Sequence, residues 1–204
     1  VFFILCKMLA MDHNKRIKLR AMEILNVQKN AVRDLKVSDK MLKAIDVIKQ
    51  AKENGRVVTA GMGKAGIIAK KMSATLSSIG VPSFFVSPAE AAHGDIGRIG
   101  AEDVLVIFSN SGSTSEVLKM VHTLHGLNDS KNKVISIGSS SEPKVPVDIA
   151  VGYGKLEESC VVEKVPSTST TIMLIIADVI AISAAESLGL NKSWFKKRHP
   201  GGAI

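Results

Sequence analysis

Polar, helix-patterned sequence comes first along this chain, and short apolar runs follow. Residues 15–54 set Leu, Ile, Met and Ala at mixed i, i+3 and i+4 spacings among lysines, the pattern of two amphipathic helices. Beyond Asn54-Gly55 the period changes. Continuous, β-branched apolar runs predict strands at 56–60, 83–86, 104–108, 133–137 and 148–151. Amphipathic stretches predict helices at 65–79 and 114–127, and a long helix over 169–188 closes the series. Strands that are apolar at every position are covered on both faces. Their alternation with helices therefore predicts an α/β fold with a parallel sheet between helical layers. In such sheets ligands bind at the carboxyl ends of the strands.

The segment Ser109-Asn110-Ser111-Gly112-Ser113-Thr114-Ser115-Glu116 falls at such an end. It follows Val104-Leu105-Val106-Ile107-Phe108 and precedes apolar positions at helical spacing: Val117, Leu118, Val121 and Leu124. The free N–H groups of a helix's first turn, with the positive end of its dipole, favour a phosphate there. Serine and threonine hydroxyls add short donors, and Gly112 would let the backbone approach the ligand. An ordinary serine N-cap with Glu116 closing a capping box would need only one hydroxyl. This turn offers five, which favours the phosphate site.

Gly61-Met62-Gly63-Lys64-Ala65-Gly66 matches G-x-G-x-x-G between a strand and a helix, as in a dinucleotide site. That site also needs an acidic residue about twenty positions on, to hold the ribose. No carboxylate occurs there until Glu90, beyond Pro88. Lys64 in the turn suits a small anion better, and Ala65 in place of Ser or Thr excludes a Walker A loop.

The 204 residues suit one domain, and 46% hydrophobic content suffices for a core built from Ile, Val, Leu, Met and Ala, since aromatics are only 4%. The net charge of +8 sits partly in Lys15-Arg16-Ile17-Lys18-Leu19-Arg20 and Lys196-Lys197-Arg198. These clusters lack interleaved aromatics or a reading motif, so a solvated face or attraction for anionic substrates explains them better than nucleic acid. Cys6 and Cys160 form no disulfide framework and no metal-type spacing, in keeping with a reducing cytoplasm. The apolar segment 1–11 lacks a basic lead and a cleavage site and is interrupted by Lys7. The run 172–185 is short for a membrane span and carries Asp178, which predicts a buried helix and no membrane partner.

Five segments occur in a telling order: Gly61-Met62-Gly63-Lys64-Ala65-Gly66, Glu90-Ala91-Ala92-His93-Gly94-Asp95, Ser109-Asn110-Ser111-Gly112, Pro166-Ser167-Thr168-Ser169-Thr170-Thr171 and His199-Pro200-Gly201-Gly202-Ala203. Together, over residues 57–204, they resemble the sugar isomerase (SIS) domain of arabinose-5-phosphate isomerases. The resemblance implies a three-layer αβα sandwich with a parallel, flavodoxin-like sheet. It implies residues 1–54 as an N-terminal helical extension packing on the core and 55–204 as the SIS domain, with no CBS domains in this chain. It further implies a cytoplasmic homotetramer with sites shared between subunits. The activity it implies is interconversion of D-arabinose 5-phosphate and D-ribulose 5-phosphate, at the entry to Kdo synthesis, without a redox cofactor or required metal. Lys64, Glu116, Glu158 and His199 match the family's catalytic positions. Gly63, His93, Ser109, Asn110, Ser111, Thr114, Ser167 and Thr168 match substrate- and phosphate-binding positions. Ser113 departs from the family's frequent glutamate, which makes this phosphate turn less acidic. Many members also carry paired CBS domains beyond the point where this chain ends.

Aldose–ketose isomerisation moves a proton between C1 and C2 through an enediol, and needs a base at carbon and a donor at the carbonyl. Glu158 or Glu116 can be that base, and the residues alone do not choose between them. His199, in a Pro-Gly-Gly tail with no helical face to pack on, suits ring opening or proton shuttling. His93 would hold a substrate hydroxyl or an adventitious metal, and Cys160 reads as a small buried residue. A non-catalytic sugar-phosphate sensor would use the same pocket but would not need Lys64, Glu158 and His199 together. An isomerase of another ketose phosphate would need a similar set.

Overall fold

Two capped helices lead into the sheet. A computed structural model describes residues 12–162, 164–199 and 201; the segment 1–11, with Cys6, lies outside them. Helix α1, His13–Asp34, begins where the Asp12 carboxylate accepts from the Lys15 amide, and α2, Asp39–Asn54, where the Ser38 hydroxyl accepts from Met41. There follow β1 (Val57–Gly61), α3 (Gly63–Ser78), β2 (Ser83–Val86), the single turn α4 (Pro88–Ala91) and a short 3-10 helix, Asp95–Arg98. Next come β3 (Val104–Phe108), α5 (Ser115–Leu127), β4 (Val134–Gly138), β5 (Ile149–Gly152), α6 (Thr168–Ser187) and α7 (Lys192–Arg198). The five expected strands and three expected core helices are all present, with ends moved by one or two residues. The pattern did not foretell α4, the 3-10 turn or α7.

All strand pairs are parallel, in the order β2-β1-β3-β4-β5. Every residue of β1, β3 and β4 is buried, which is why those runs carry no polar alternation. On one face Val57, Val104, Val106, Phe108, Ile135 and Ile137 pack with α2, α3 and α6. On the other, Val58, Ala60, Leu105, Ile107 and Val134 pack with α5 and Ala91 of α4. These are the three layers of an αβα sandwich. Helix α2 buries Met41, Ala44, Ile48 and Ala51 in the first core, whereas α1 has no fully buried residue.

Helix α6 runs six residues longer than its apolar run and reaches a mean hydropathy of 1.8 over 18 residues, enough by length and composition to cross a membrane. That corrects the expectation of a segment too short to span. Its stripe Ile172, Met173, Ile176, Ala177, Ile180, Ala181 and Ala184 is nonetheless spent on the core beneath α2 and α3.

Candidate active site

From β1 the chain crosses to β2 on one side, and from β3 to β4 on the other, so a crevice opens between the ends of β1 and β3. A cavity of about 540 Å³ occupies it, within the range usual for small-ligand sites. Three segments build its wall.

The first is the glycine turn. Met62 caps α3 without any side-chain hydrogen bond to the helix amides, Gly63 sits at φ +54°, and exposed Lys64 borders the cavity with no ion pair among the described residues. The second is the serine turn, through Ser109, Asn110, Ser111 and Thr114. The Ser109 and Thr114 hydroxyls lie 2.9 Å apart, and Ser111 Oγ accepts from the Ser113 amide and hydroxyl at 3.3 and 2.9 Å. Thr114 caps α5 without bonding the helix amides. Two helix N-termini thus face one cavity with no capping side chain, the setting for an anion.

The third segment is the start of α6, through Pro166, Ser169, Thr170 and Met173. Here the protein supplies its own anion. One oxygen of Glu158 accepts from the Ser167 amide at 2.8 Å, the Ser167 hydroxyl at 3.0 Å and the Ser169 amide at 3.3 Å. Partial burial pushes the Glu158 carboxyl up, but the donors of Ser169 and Ser167 outweigh that and hold it below the usual glutamate range. Thr168 is buried and shares a 2.8 Å hydroxyl contact with Ser159. Ser167 and Thr168 are therefore engaged behind the wall. Ser169 and Thr170, one turn position later, line it instead. Ser169 Oγ is buried with no hydrogen bond of ordinary geometry among the described residues, yet it lies close enough to Glu158 to help lower that carboxyl.

Glu158 itself stands behind the wall and lines a separate, smaller cavity of about 370 Å³ with Lys155, Leu156 and Glu157, and the other candidates are elsewhere in the subunit. His93 and Glu116 line a separate cavity of about 600 Å³, together with Lys119 and the turn around α4. The Ser115 hydroxyl first, and its own backbone amide next, hold the Glu116 carboxyl below its ordinary value. With Thr114 rather than Ser113 at the cap, no capping box forms. His199 corrects the expectation of an unpacked tail. It caps α7, its ring stacks on Phe195 at 3.8 Å, and Nδ1 lies 2.9 Å from the Phe195 carbonyl. It borders none of these cavities.

Gly112 also differs from expectation. Its φ of +63° suits glycine, and a Cβ there would meet Pro143 Cβ at 2.5 Å, so it makes room for the 139–145 loop rather than for a ligand. Cys160 is half-buried and accepts from the Val165 amide at 3.2 Å. Among the described residues no three His, Cys, Asp or Glu side chains gather as a metal site. Sequence reasoning singled out neither Met62 nor Met173 for the wall, whereas Ser169 and Thr170 were expected at an anion-friendly helix start. Met173 falls three residues after Thr170 and four after Ser169 on α6, and that helical spacing was the signal available for it. Tyr153 was also missed; its hydroxyl donates to Asn110 Oδ1 at 2.7 Å.

This geometry has relatives. The SIS domain model matches residues 49–145. The arabinose 5-phosphate isomerase KdsD of Pseudomonas aeruginosa is 37% identical over 194 residues, 90% of this chain and 56% of that protein. The chain spans about half the length of the curated relatives it matches. A candidate phosphosugar isomerase of Bacteroides fragilis NCTC 9343, involved in capsule formation, superposes with a TM-score of 0.87 at 33% identity, over 92% of this chain and 100% of that one. An Escherichia coli CFT073 protein solved in complex with arabinose 5-phosphate superposes with a TM-score of 0.83 at 32% identity, over 93% and 100%. The shared motifs, the matched sheet and these identities make the chain a member of the SIS-domain family.

Proposed function

We propose that the protein is a cytoplasmic aldose–ketose isomerase that interconverts D-arabinose 5-phosphate and D-ribulose 5-phosphate through an enediol, at the entry to Kdo synthesis. The observation that carries the reading is the cavity at the switch point, where Lys64 and two uncapped helix N-termini converge. The phosphate sits against the serine turn, on Ser109, Ser111 and Thr114, with Asn110 at the rim and the Gly63 backbone opposite. The sugar extends towards α6. Glu158, held as a carboxylate beside that wall, takes the C2 proton of the open-chain aldose. Lys64 balances the negative charge that develops on O1. Return of that proton to C1, with the O2 hydroxyl proton passing to O1, gives the ketose, so the glutamate accepts and then releases one proton.

Glu116, His93 and His199 lie outside this cavity in their own subunit. The reading therefore includes a homotetramer in which a second copy brings them to it, with His199 as the ring-opening acid–base group. Residues 55–204 form the isomerase unit and the N-terminal helices its packing extension. The same separation favours one other reading, a sugar-phosphate sensor that binds and does not turn over.

Incubation with D-arabinose 5-phosphate in deuterated water, followed by proton NMR with EDTA present, tests this. Ribulose 5-phosphate carrying deuterium at C1 supports the isomerase and its enediol. Saturable binding without product supports the sensor.

A further inference from the structure

We infer that Tyr153 is a positioning residue for the cavity, holding the Asn110 side chain so that its amide group faces the ligand; this rests on the proposed function. Three strand ends meet beneath the cavity and are joined through their backbones. Ser139 N and Oγ both donate to the Asn110 carbonyl, at 2.9 and 2.6 Å. Tyr153 N donates to the Gly138 carbonyl at 3.1 Å and Gly154 N to Ser139 at 3.0 Å. The fit is close: a Cβ on Gly138 would stand 2.1 Å from the Ser109 carbonyl oxygen. Tyr153 thus rises from a fixed strand end.

Its ring packs on the core formed with α2 and α6, and its hydroxyl spans from β5 to the serine turn. Asn110 is exposed at the rim, and this is the hydrogen bond its side chain makes among the described residues. With Oδ1 occupied by the phenol, the two Nδ2 hydrogens are the groups left for a ligand, and both are donors. An anionic oxygen or a sugar hydroxyl accepts from them. Burial first, and the nearby Glu158 charge second, push the Tyr153 hydroxyl above its usual range, so it remains a donor at neutral pH. An amide freed from this tether would rotate and offer Oδ1 to the phosphate as readily as Nδ2.

The test is a double-mutant cycle on Tyr153→Phe, which keeps the ring, and Asn110→Ala. Turnover of D-arabinose 5-phosphate and the affinity for inorganic phosphate are measured for each protein, along with the Asn110 side-chain amide resonances of 15N-labelled protein. The expected result is a KM raised about fivefold in Tyr153→Phe with kcat changed less than about twofold, the loss of one neutral hydrogen bond. Tyr153→Phe should add nothing in the Asn110→Ala background, and the Asn110 amide pair should collapse towards free-amide shifts. A merely structural role would move kcat and KM together and would persist without Asn110. If the wild type does not turn over the sugar, the isomerase reading fails, and phosphate affinity with the amide resonances still decides the positioning role. Unchanged KM, or unchanged phosphate affinity, with an unchanged amide pair overturns it, as does an additive cycle.

Discussion

Replacing Glu158 by Gln should destabilise the protein in a strongly pH-dependent way. In the wild type one carboxylate oxygen accepts three hydrogen bonds from Ser167 and Ser169 at the start of a 20-residue helix. A glutamine oxygen can accept the same bonds without charge, and charge-assisted bonds are about twice as strong as neutral ones. The carboxylate also meets the helix dipole, worth about 0.3–1 kcal/mol when exposed and up to about 2 when partly buried. Half-buried Glu158 falls between these cases, so the expected cost at pH 7 is about 1–2 kcal/mol, a drop in Tm of about 2–8 °C for a chain of this size. The charged form is favoured in the folded state, so its contribution is full above the unfolded value of about 4.3 and is lost as pH falls through the lower folded value. Chemical denaturation of both proteins at pH 7, 5, 4 and 3, at one protein concentration, reads this directly. The gap should be widest at pH 7 and close towards pH 3. A gap of equal size at every pH, or none at pH 7, would refute the capping argument.

Three further outcomes follow from the cavity. Lys64→Met should weaken binding of inorganic phosphate about tenfold or more by calorimetry, the loss of a charged contact, while Tm hardly moves because the side chain is exposed. His199→Ala removes a stacked ring from α7 but nothing from the cavity wall; turnover should fall about 10²–10⁴-fold with phosphate affinity intact, and mixing it with Lys64→Met subunits should restore part of the rate if sites are shared. A pentulose 1,5-bisphosphate should bind no more tightly than the 5-monophosphate in a competition assay; tighter binding would contradict the assignment of Glu158 to the α6 terminus.

The sheet was legible because parallel strands buried on both faces leave an uninterrupted apolar signal, as in Val104-Leu105-Val106-Ile107-Phe108. The place of the serine turn on the cavity wall was legible because its pattern is local, consecutive hydroxyls between a strand and a helix. Helix α7 was not, since seven residues ending in Lys196-Lys197-Arg198 carry too little apolar period to stand out from a basic tail. Its presence gives His199 a ring partner that no spacing rule supplies. Ser167 and Thr168, at the start of α6, were expected to bind substrate or phosphate. Only the fold brings Glu158 back across that helix start, through the loop between β5 and α6. Tyr153 and Asn110 stand 43 residues apart, so their contact had no sequence signal at all.

That occupied terminus gives the cavity a direction. Lys64 and the uncapped starts of α3 and α5 leave positive character at one end. At the other, the α6 dipole is already met by the Glu158 carboxylate, and the wall there presents hydroxyls, Ser169 and Thr170, with apolar Met173. A second phosphate at that end would have to displace a protein carboxylate or lie against it, and like charges at close range in a partly desolvated site repel strongly. A neutral polyhydroxyl chain meets no such cost, and its oxygens find the hydroxyls of that wall. On the proposed reading, one arrangement of Glu158 would do two things: limit the ligand to a single phosphate, and set an ionised base beside the carbon end of the sugar that phosphate carries.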